Sequence, residues 1–283
     1  MSTHEIITSS TRLPVYFDIY ETYNQLVPSH WHNHLEILYL FKGTMNIVRN
    51  NIKYTINEND LFIVNSGDIH LTRSPGSIQV LLLQIPYELL DHSIPEYKSL
   101  RFREYFPNTE LNEDNTYQKM IQYLLTMRTL YEQGADDYQF IFTSNLYLFL
   151  HILYGHYAIR SNPIEKNRKH LSRIKKVIDY VEQNYMEQIT LIHAASLVNL
   201  NPEYFCRFFK KYTGSTLIEY INLVRITHIH RDILNTEDSI TTIQERHGFT
   251  NYRVFNRIFK ETYGCTPSKL RSSSSYPARC PRK

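Results

Sequence analysis

The chain has 283 residues, 42% hydrophobic and 21% charged, with three cysteines and a formal net charge of +3. That length supports two domains, each able to bury a core, while three cysteines are too few and too odd in number for a disulfide framework. The net charge conceals a division: residues 168–283 carry a balance of +9 and the remainder −6, so only one half is suited to a polyanion.

The first residues, MSTHEIITSS, lack a basic stretch followed by an apolar one, so no signal peptide is read there. The most apolar run, LYLFLHILYGHYAI from Leu146, is interrupted by His151 and His156 and is too short to span a bilayer. A cytoplasmic, soluble protein with no membrane partner is expected.

From about Pro14 to Ile85 the pattern is short and β-like: VYFDIY, LEILYLF, TMNIVR, IKYTI, DLFIVN and IQVLLLQI. Turn residues separate the runs, among them Lys42-Gly43, Asn50-Asn51, Ser66-Gly67-Asp68 and Ser74-Pro-Gly76. Short strands at this spacing predict a small antiparallel barrel or sandwich. Within it, HWHNHLEILYLFKG places His30, His32, His34 and Glu36 at every second position. On a strand, alternate side chains share a face, so all four are expected to point the same way. Imidazoles and a carboxylate converging on one point suit a transition metal or a polar ligand. Trp31, on the other face, is assigned to packing.

After Pro86 the rhythm becomes helical. Tyr117, Met120, Ile121, Leu124, Met127 and Tyr131 mark the apolar face of one helix, ending near Gly134. A second helix is expected from about Asp137 to Arg160; its Phe140, Leu146, Phe149, Leu150 and Leu153 exceed what one buried face needs, which suggests a dimer contact. SNPIEKNRK, 161–169, reads as a linker. Beyond it the pattern is helical throughout, at about 172–185, 189–198, 202–213, 216–234, 239–247 and 251–262, with a short helix after Pro267.

This second half repeats itself. ASLVNLNPEYFCRFFKKYTGST (195–216) aligns with QERHGFTNYRVFNRIFKETYGCT (244–266) once one extra residue is allowed in the second turn. Each copy has a short helix, a tight turn at Asn199 or Gly248, an apolar residue (Leu200 or Phe249) and a longer basic helix. Helix, turn and basic helix is the geometry that sets one helix in a major groove. In the first copy Phe205, Phe208, Phe209 and Tyr212 recur at core spacing; in the second, Phe255, Ile258 and Phe259 do. The residues left to face DNA are Asn201, Glu203, Tyr204, Cys206, Arg207 and Lys210 in one helix, and Asn251, Tyr252, Arg253, Asn256, Arg257 and Lys260 in the other. Arginine suits guanine and asparagine suits adenine, so the set has readout chemistry. The connector TLIEYINLVRITHIHRDIL is about 28 Å long as a helix. Major grooves on one face of B-DNA recur every ~34 Å, so one chain can reach two successive grooves.

These residues resemble the AraC/XylS family of transcriptional regulators over 172–271, down to the ending Gly264-Cys-Thr-Pro-Ser-Lys-Leu-Arg271. The resemblance implies two helix-turn-helix units whose second helices read DNA through Glu203, Cys206 and Arg207, and through Tyr252, Arg253, Asn256 and Arg257. Three positions depart from the family's pattern: Gln244 where a small residue is usual, His247 where an aliphatic is usual, and Ile229 in place of a common alanine.

The N-terminal half is similar, more loosely, to a cupin. His30-x-His32-x3-Glu36-x6-Gly43 fits the first cupin motif, and Asn59-x5-Asn65-x-Gly67-x2-His70 fits the second, with Asn in place of the usual Gly and Pro. In a metal cupin the implied ligands are His30, His32, Glu36 and His70, a set that suits iron, manganese, nickel or zinc. A metal-dependent cupin enzyme, an oxygenase or isomerase with a basic accessory domain, is therefore the rival function. Fusion to such a DNA-binding half implies instead an effector pocket, commonly for sugars or other small polar molecules, lined by His30, His32, His34, Glu36 and His70 and needing no resident cofactor. Among these His34, outside the motif, is the structural candidate. A third alternative is a ligand-independent DNA-binding protein whose barrel serves only to dimerise it. No G-x-S-x-G frame or phosphate-cradling glycine loop occurs, so no enzyme is expected.

The expected architecture is multidomain: a cupin-like β-barrel at 1–110, a helical dimerisation arm at 111–160, a linker at 161–170, an all-α DNA-binding domain with two helix-turn-helix motifs at 171–273, and a disordered tail at 274–283. The expected partners are promoter DNA, a small-molecule effector, a second copy of the chain and RNA polymerase.

Overall fold

The computed structural model describes residues 13–161 and 165–272 other than 51 and 112, so the expected tail lies outside the described residues. Strands β1 (Tyr16–Tyr23), β2 (Leu26–His30), β3 (Leu35–Lys42), β4 (Met45–Arg49), β5 (Ile52–Ile56), β6 (Leu61–Val64), β7 (His70–Arg73) and β8 (Ser77–Ile85) follow one another. After helix α1 (Tyr87–Ser93) come the short β9 (Leu100–Phe102) and β10 (Tyr105–Phe106). One antiparallel sheet runs β1-β8-β3-β6-β10 and a second β2-β7-β4-β5. The two ladders stay separate among the described residues, so the expected barrel takes the form of a two-sheet sandwich. Leu38, Leu40, Ile47, Ile56, Phe62, Val80 and others fill the space between the sheets.

LEILYLF does not alternate because both of its faces are covered. Leu38 and Leu40 face the second sheet, while Ile37 and Tyr39 lie under two helices, α2 (Asn115–Gln133) and α3 (Tyr138–Tyr157). The Asp114 carboxylate caps α2 by accepting from the Thr116 and Tyr117 amides, and Gly134 closes it in the left-handed conformation. The helix expected to run to Arg160 stops at Tyr157; Ala158–Arg160 form β11, which pairs with β9. The exposed Ile159-Arg160 end finds a sheet edge that helical periodicity does not reveal.

Helix α4 (Glu165–Asn184) begins inside the expected linker, because its Lys, Arg and Glu residues are good helix formers whatever their burial. Then follow α5 (Leu191–Ser196), α6 (Pro202–Thr213), α7 (Leu217–Asn235), α8 (Ile240–Arg246), α9 (Tyr252–Tyr263) and α10 (Pro267–Ser272). The first half of α7, Leu217 to Val224, packs into one core with α4, α5 and α6; its second half, Ile226 to Ile233, packs into another with α8, α9 and α10. The two halves of the chain touch. Ile69 of the sheet domain belongs to the core around α4, and Trp31 packs on it.

Candidate functional site

The histidines converge, but not for the reason alternation suggests. β2 ends at His30 and β3 starts at Leu35, so His32 and His34 lie in a connection rather than on a strand. His30 faces His70 because the β2–β7 register pairs them, and their ring centroids are 4.1 Å apart. His32 lies 5.1 Å from His70, centroid to centroid. Glu36, on the face of β3 that looks between the sheets, approaches His32 Nε2 at 3.0 Å and His70 Nε2 at 3.6 Å. His34 contributes through its backbone, since its carbonyl is 3.1 Å from His32 Nδ1.

Backbone carbonyls set the rings. Nδ1 of His30 faces the Pro28 carbonyl at 2.9 Å and therefore carries the proton, leaving Nε2 as an acceptor. His32 lies between a carbonyl and a carboxylate, and satisfies both only with both ring nitrogens protonated. Burial pushes the His30 imidazole well below its ordinary value, and the neighbouring His70 and His32 push it the same way against Glu36 and the Pro28 carbonyl. Burial would raise the Glu36 carboxyl, yet hydrogen bonding from His32 and His70 holds it well below the usual carboxylate range. The result is a buried anion ringed by imidazoles. Ligating atoms of His30, His32 and His70 lie within 4.8 Å of one another, so the three imidazoles fit a divalent transition metal by donor type and placement once His32 gives up the Nε2 proton it shares with Glu36.

Gln84 was not among the expected residues. It sits opposite Glu36 in the β3–β8 register, and its Nε2 donates to Glu36 Oε2 at 2.7 Å. The apolar IQVLLLQI run carries two glutamines, Gln79 and Gln84, and only the β3–β8 register singles out the second. Apart from His70, the residues of the second motif serve the backbone: Asn65 exchanges both of its amide hydrogen bonds with Phe102, and Asn59 and Gly67 adopt positive φ. Behind them the buried Asp68 carboxylate pairs with Arg49 and Arg101. Lys175 of α4 closes over this corner with Nζ 4.0 Å above the Trp31 ring, and burial lowers its pKa to about 8 against the pull of Asp68 and Asp179. The Trp31 indole donates to Asp179 at 2.9 Å.

The two basic helices are built alike. Asn201 caps α6 by accepting from the Tyr204 amide, and Asn251 caps α9 by accepting from those of Arg253 and Val254. Their carboxamide oxygens are therefore committed locally, leaving the NH2 groups of these two expected contacts. Gly214 and Gly264 end the helices with φ of 79° and 72°. Glu203, Tyr204, Cys206, Arg207 and Lys210 are exposed on α6, as are Tyr252, Arg253, Arg257 and Lys260 on α9. Asn256 is half-buried and donates to the Tyr252 carbonyl, while Arg257 pairs with Glu261 at 3.2 Å.

The three departures in the second unit are absorbed by packing. Ile229 is buried in its core. Gln244 donates to the Phe249 carbonyl at 2.9 Å, inside the turn it buries. His247 stands 2.8 Å from Asp232 and 3.1 Å from the Tyr185 hydroxyl; its burial lowers the imidazole pKa while Asp232 opposes.

A family model described as an AraC-like ligand binding domain matches residues 14–149, and one described as a helix-turn-helix domain matches 183–273. The HTH-type transcriptional regulator YdeC of Bacillus subtilis is 23% identical over 91% of this chain and 90% of its own. The HTH-type transcriptional activator RhaS of Pectobacterium carotovorum is 25% identical over 86% of this chain and 87% of its own. Longer Staphylococcus aureus regulators match 84% of this chain, which spans only 31% of their length. Among solved structures, an apo variant of ToxT from Vibrio cholerae shares the fold, with a TM-score of 0.52 at 18% identity over 92% of this chain and 98% of that one.

Proposed function

The chain belongs to the AraC family of transcriptional regulators, a DNA-binding protein with an N-terminal ligand-binding domain, and from that premise we propose that it responds to a small polar effector, a sugar or related polyol, held at the imidazole cluster. With relatives that are transcriptional regulators, the chain is not an enzyme, and the cupin-enzyme alternative is set aside. The observation that carries the effector reading is the ring of His30, His32 and His70 around Glu36 and Gln84. It gathers buried donors and acceptors against an apolar sandwich, the pattern that orients hydroxyl groups.

DNA is read by the exposed faces of α6 and α9, with Arg207, Lys210, Arg253 and Arg257 as the cationic contacts. A homodimer forms through α3 in the cytoplasm, and the promoter-bound protein meets RNA polymerase. Effector binding changes how the sandwich and the arm constrain the basic half, so one promoter-bound state is favoured over another.

Purified protein is mixed with fragmented genomic DNA at moderate salt and the retained fragments are sequenced. Enrichment of a few intergenic sites, with two half-elements about one helical turn apart, is the expected result. Uniform retention that salt abolishes would mean phosphate contact alone. For the effector, a thermal-shift screen of sugars is expected to give at least one stabilising ligand whose effect His32→Ala removes. Responders unaffected by that change would place the pocket elsewhere.

A second reading rests on the three imidazoles lying within 4.8 Å of one another. His30, His32 and His70 would hold a divalent transition metal, which supplies a Lewis acid that orients effector hydroxyls. Metal analysis of protein purified without chelators is expected to show stoichiometric metal, lost in His30→Ala; metal-free protein that still binds effector rejects it.

A further inference from the structure

The carboxyl ends of both DNA-reading helices are held by the sheet domain. α6 ends at Thr213, whose carbonyl accepts from the Ser29 hydroxyl at 3.0 Å. α9 ends at Tyr263, whose carbonyl accepts from the Asn24 amide at 2.8 Å. Two residues back, the Glu261 carbonyl accepts from the Arg73 guanidinium at 3.1 Å. The last four carbonyls of a helix have no partner inside it, so these three donors act as caps. Ser29 is gripped on both sides, because the hydroxyl of Tyr220 on α7 donates to its carbonyl at 2.6 Å.

The three donors sit on one two-stranded rib, whose register shifts between Val27 and His30. Asn24 precedes β2, Ser29 lies in β2 and Arg73 ends β7, and the β2–β7 ladder pairs Leu26 with Arg73 and His30 with His70. Inside the DNA-binding half, the two units are otherwise related by α7, by Tyr185 with His247, and by Arg225, which donates to the Tyr185 and Glu187 carbonyls. Those contacts lie away from the helix ends that the rib holds. The exposed faces of α6 and α9 point elsewhere, since Arg207, Lys210, Arg253 and Lys260 make none of these contacts and remain accessible. The grip is compatible with DNA binding, as a gauge rather than a plug.

We propose that Asn24, Ser29 and Arg73 are positioning residues that set the distance and phase between the two reading helices, and so determine which half-element spacing the protein accepts. The inference rests on α6 and α9 both contacting DNA, as proposed above. It adds that spacing selectivity is written in the effector domain, on the same two strands that carry His30 and His70. An effector drawing those two imidazoles together acts on the rib directly.

The test is an in vitro selection with the full chain on duplexes that hold both half-elements at spacers varied one base pair at a time. The half-elements come from the wild-type protein's own selected motif. The variant is Asn24→Gly with Arg73→Met, which deletes both donors to α9; glycine accepts the φ of 47° found at Asn24, and Arg73 is exposed. Unfolding midpoints of the two proteins are compared alongside.

Wild type is expected to prefer one spacing. The variant is expected to keep the same half-elements and affinity for each alone, and to lose roughly fivefold or more of its preference over neighbouring spacings, the scale of two lost hydrogen bonds. Ser29→Ala is expected to act likewise from the α6 side. A variant with an unchanged spacing preference overturns the proposal, as does one that binds every spacing more tightly, which would make the rib a simple inhibitor. If wild type selects a single half-element that Arg253→Ala does not affect, the two-helix reading itself fails and the proposal with it.

Discussion

Asn199 and Gly248 make equivalent turns in the two units, at φ of 53° and 77°, and the second turn is the more demanding. A β-carbon added at Gly248 would stand 2.4 Å from the Met186 carbonyl oxygen, a backbone atom that cannot swing away. Gly248→Ala combines a left-handed penalty with that clash, so it is expected to cost about 2 kcal/mol or more. Asn199→Gly should cost only a few tenths. Urea unfolding of both variants checks this, and equal midpoints would remove the steric argument. At this scale the sequence was legible where a residue's role is local. Both turns, the Phe205, Phe208 and Phe209 core and the exposed face of α6 followed from spacing alone, whereas Asn256 of α9 is half-buried. The histidine string was legible for a partly wrong reason. His30, His32 and Glu36 do meet, but a connection and a register bring them together, not one strand. Gln84 could be singled out only once β3 and β8 were paired.

Helix α7 illustrates what elements add. It serves two cores in succession, so no single apolar stripe describes it, and its histidines are drawn inward. His230 stacks on Tyr263 with ring centroids 4.1 Å apart, and burial lowers its pKa to about 4. A folded value below the unfolded one means that the unfolded chain takes up the proton first. Stability is therefore intact above about pH 6.5 and is lost as pH falls from there through 4, by at most about 3 kcal/mol. His247, lowered by burial as well, adds in the same direction. Urea midpoints between pH 7.5 and 5 are expected to fall in wild type and to fall less in His230→Phe; parallel curves would place the acid sensitivity elsewhere. Strands with an apolar rhythm were readable, whereas β2 and β7 were missed. LVPSH and HLTR are short and lack an apolar alternation, and become strands because they pair with each other and, through β7, with β4.

Across the whole molecule, α3 presents the apolar surplus that its composition foretold. Leu146, Phe149, Leu150 and Leu153 are buried against the sheet and α2, while Phe140, Ile141, Tyr147, Leu148 and Tyr154 are exposed. Phe140, Tyr147 and Tyr154 recur every seven residues, with Ile141 and Leu148 beside them, as in a helix-pairing seam. Phe140→Glu with Leu148→Glu is expected to convert a dimer to a monomer in light scattering, with the unfolding midpoint hardly changed. A wild-type monomer at micromolar concentration would assign the stripe to another partner. No helix of the described residues is long and apolar enough to cross a membrane.

By itself the sequence determined the class of this protein: the charge division, the duplicated helix-turn-helix pattern and the histidine-rich strand region all express interactions within a few turns of chain. Periodicity, capping and turn chemistry act at that range and are written residue by residue. Only the tertiary structure decided which polar groups share an enclosure, how Gln84 and His70 reach Glu36, and that Asn24, Ser29 and Arg73 grip helices 184 to 239 residues away. Those relations depend on strand register and on how two domains dock. Both are set by the sum of many weak contacts, none of which leaves a mark at a fixed spacing in the chain.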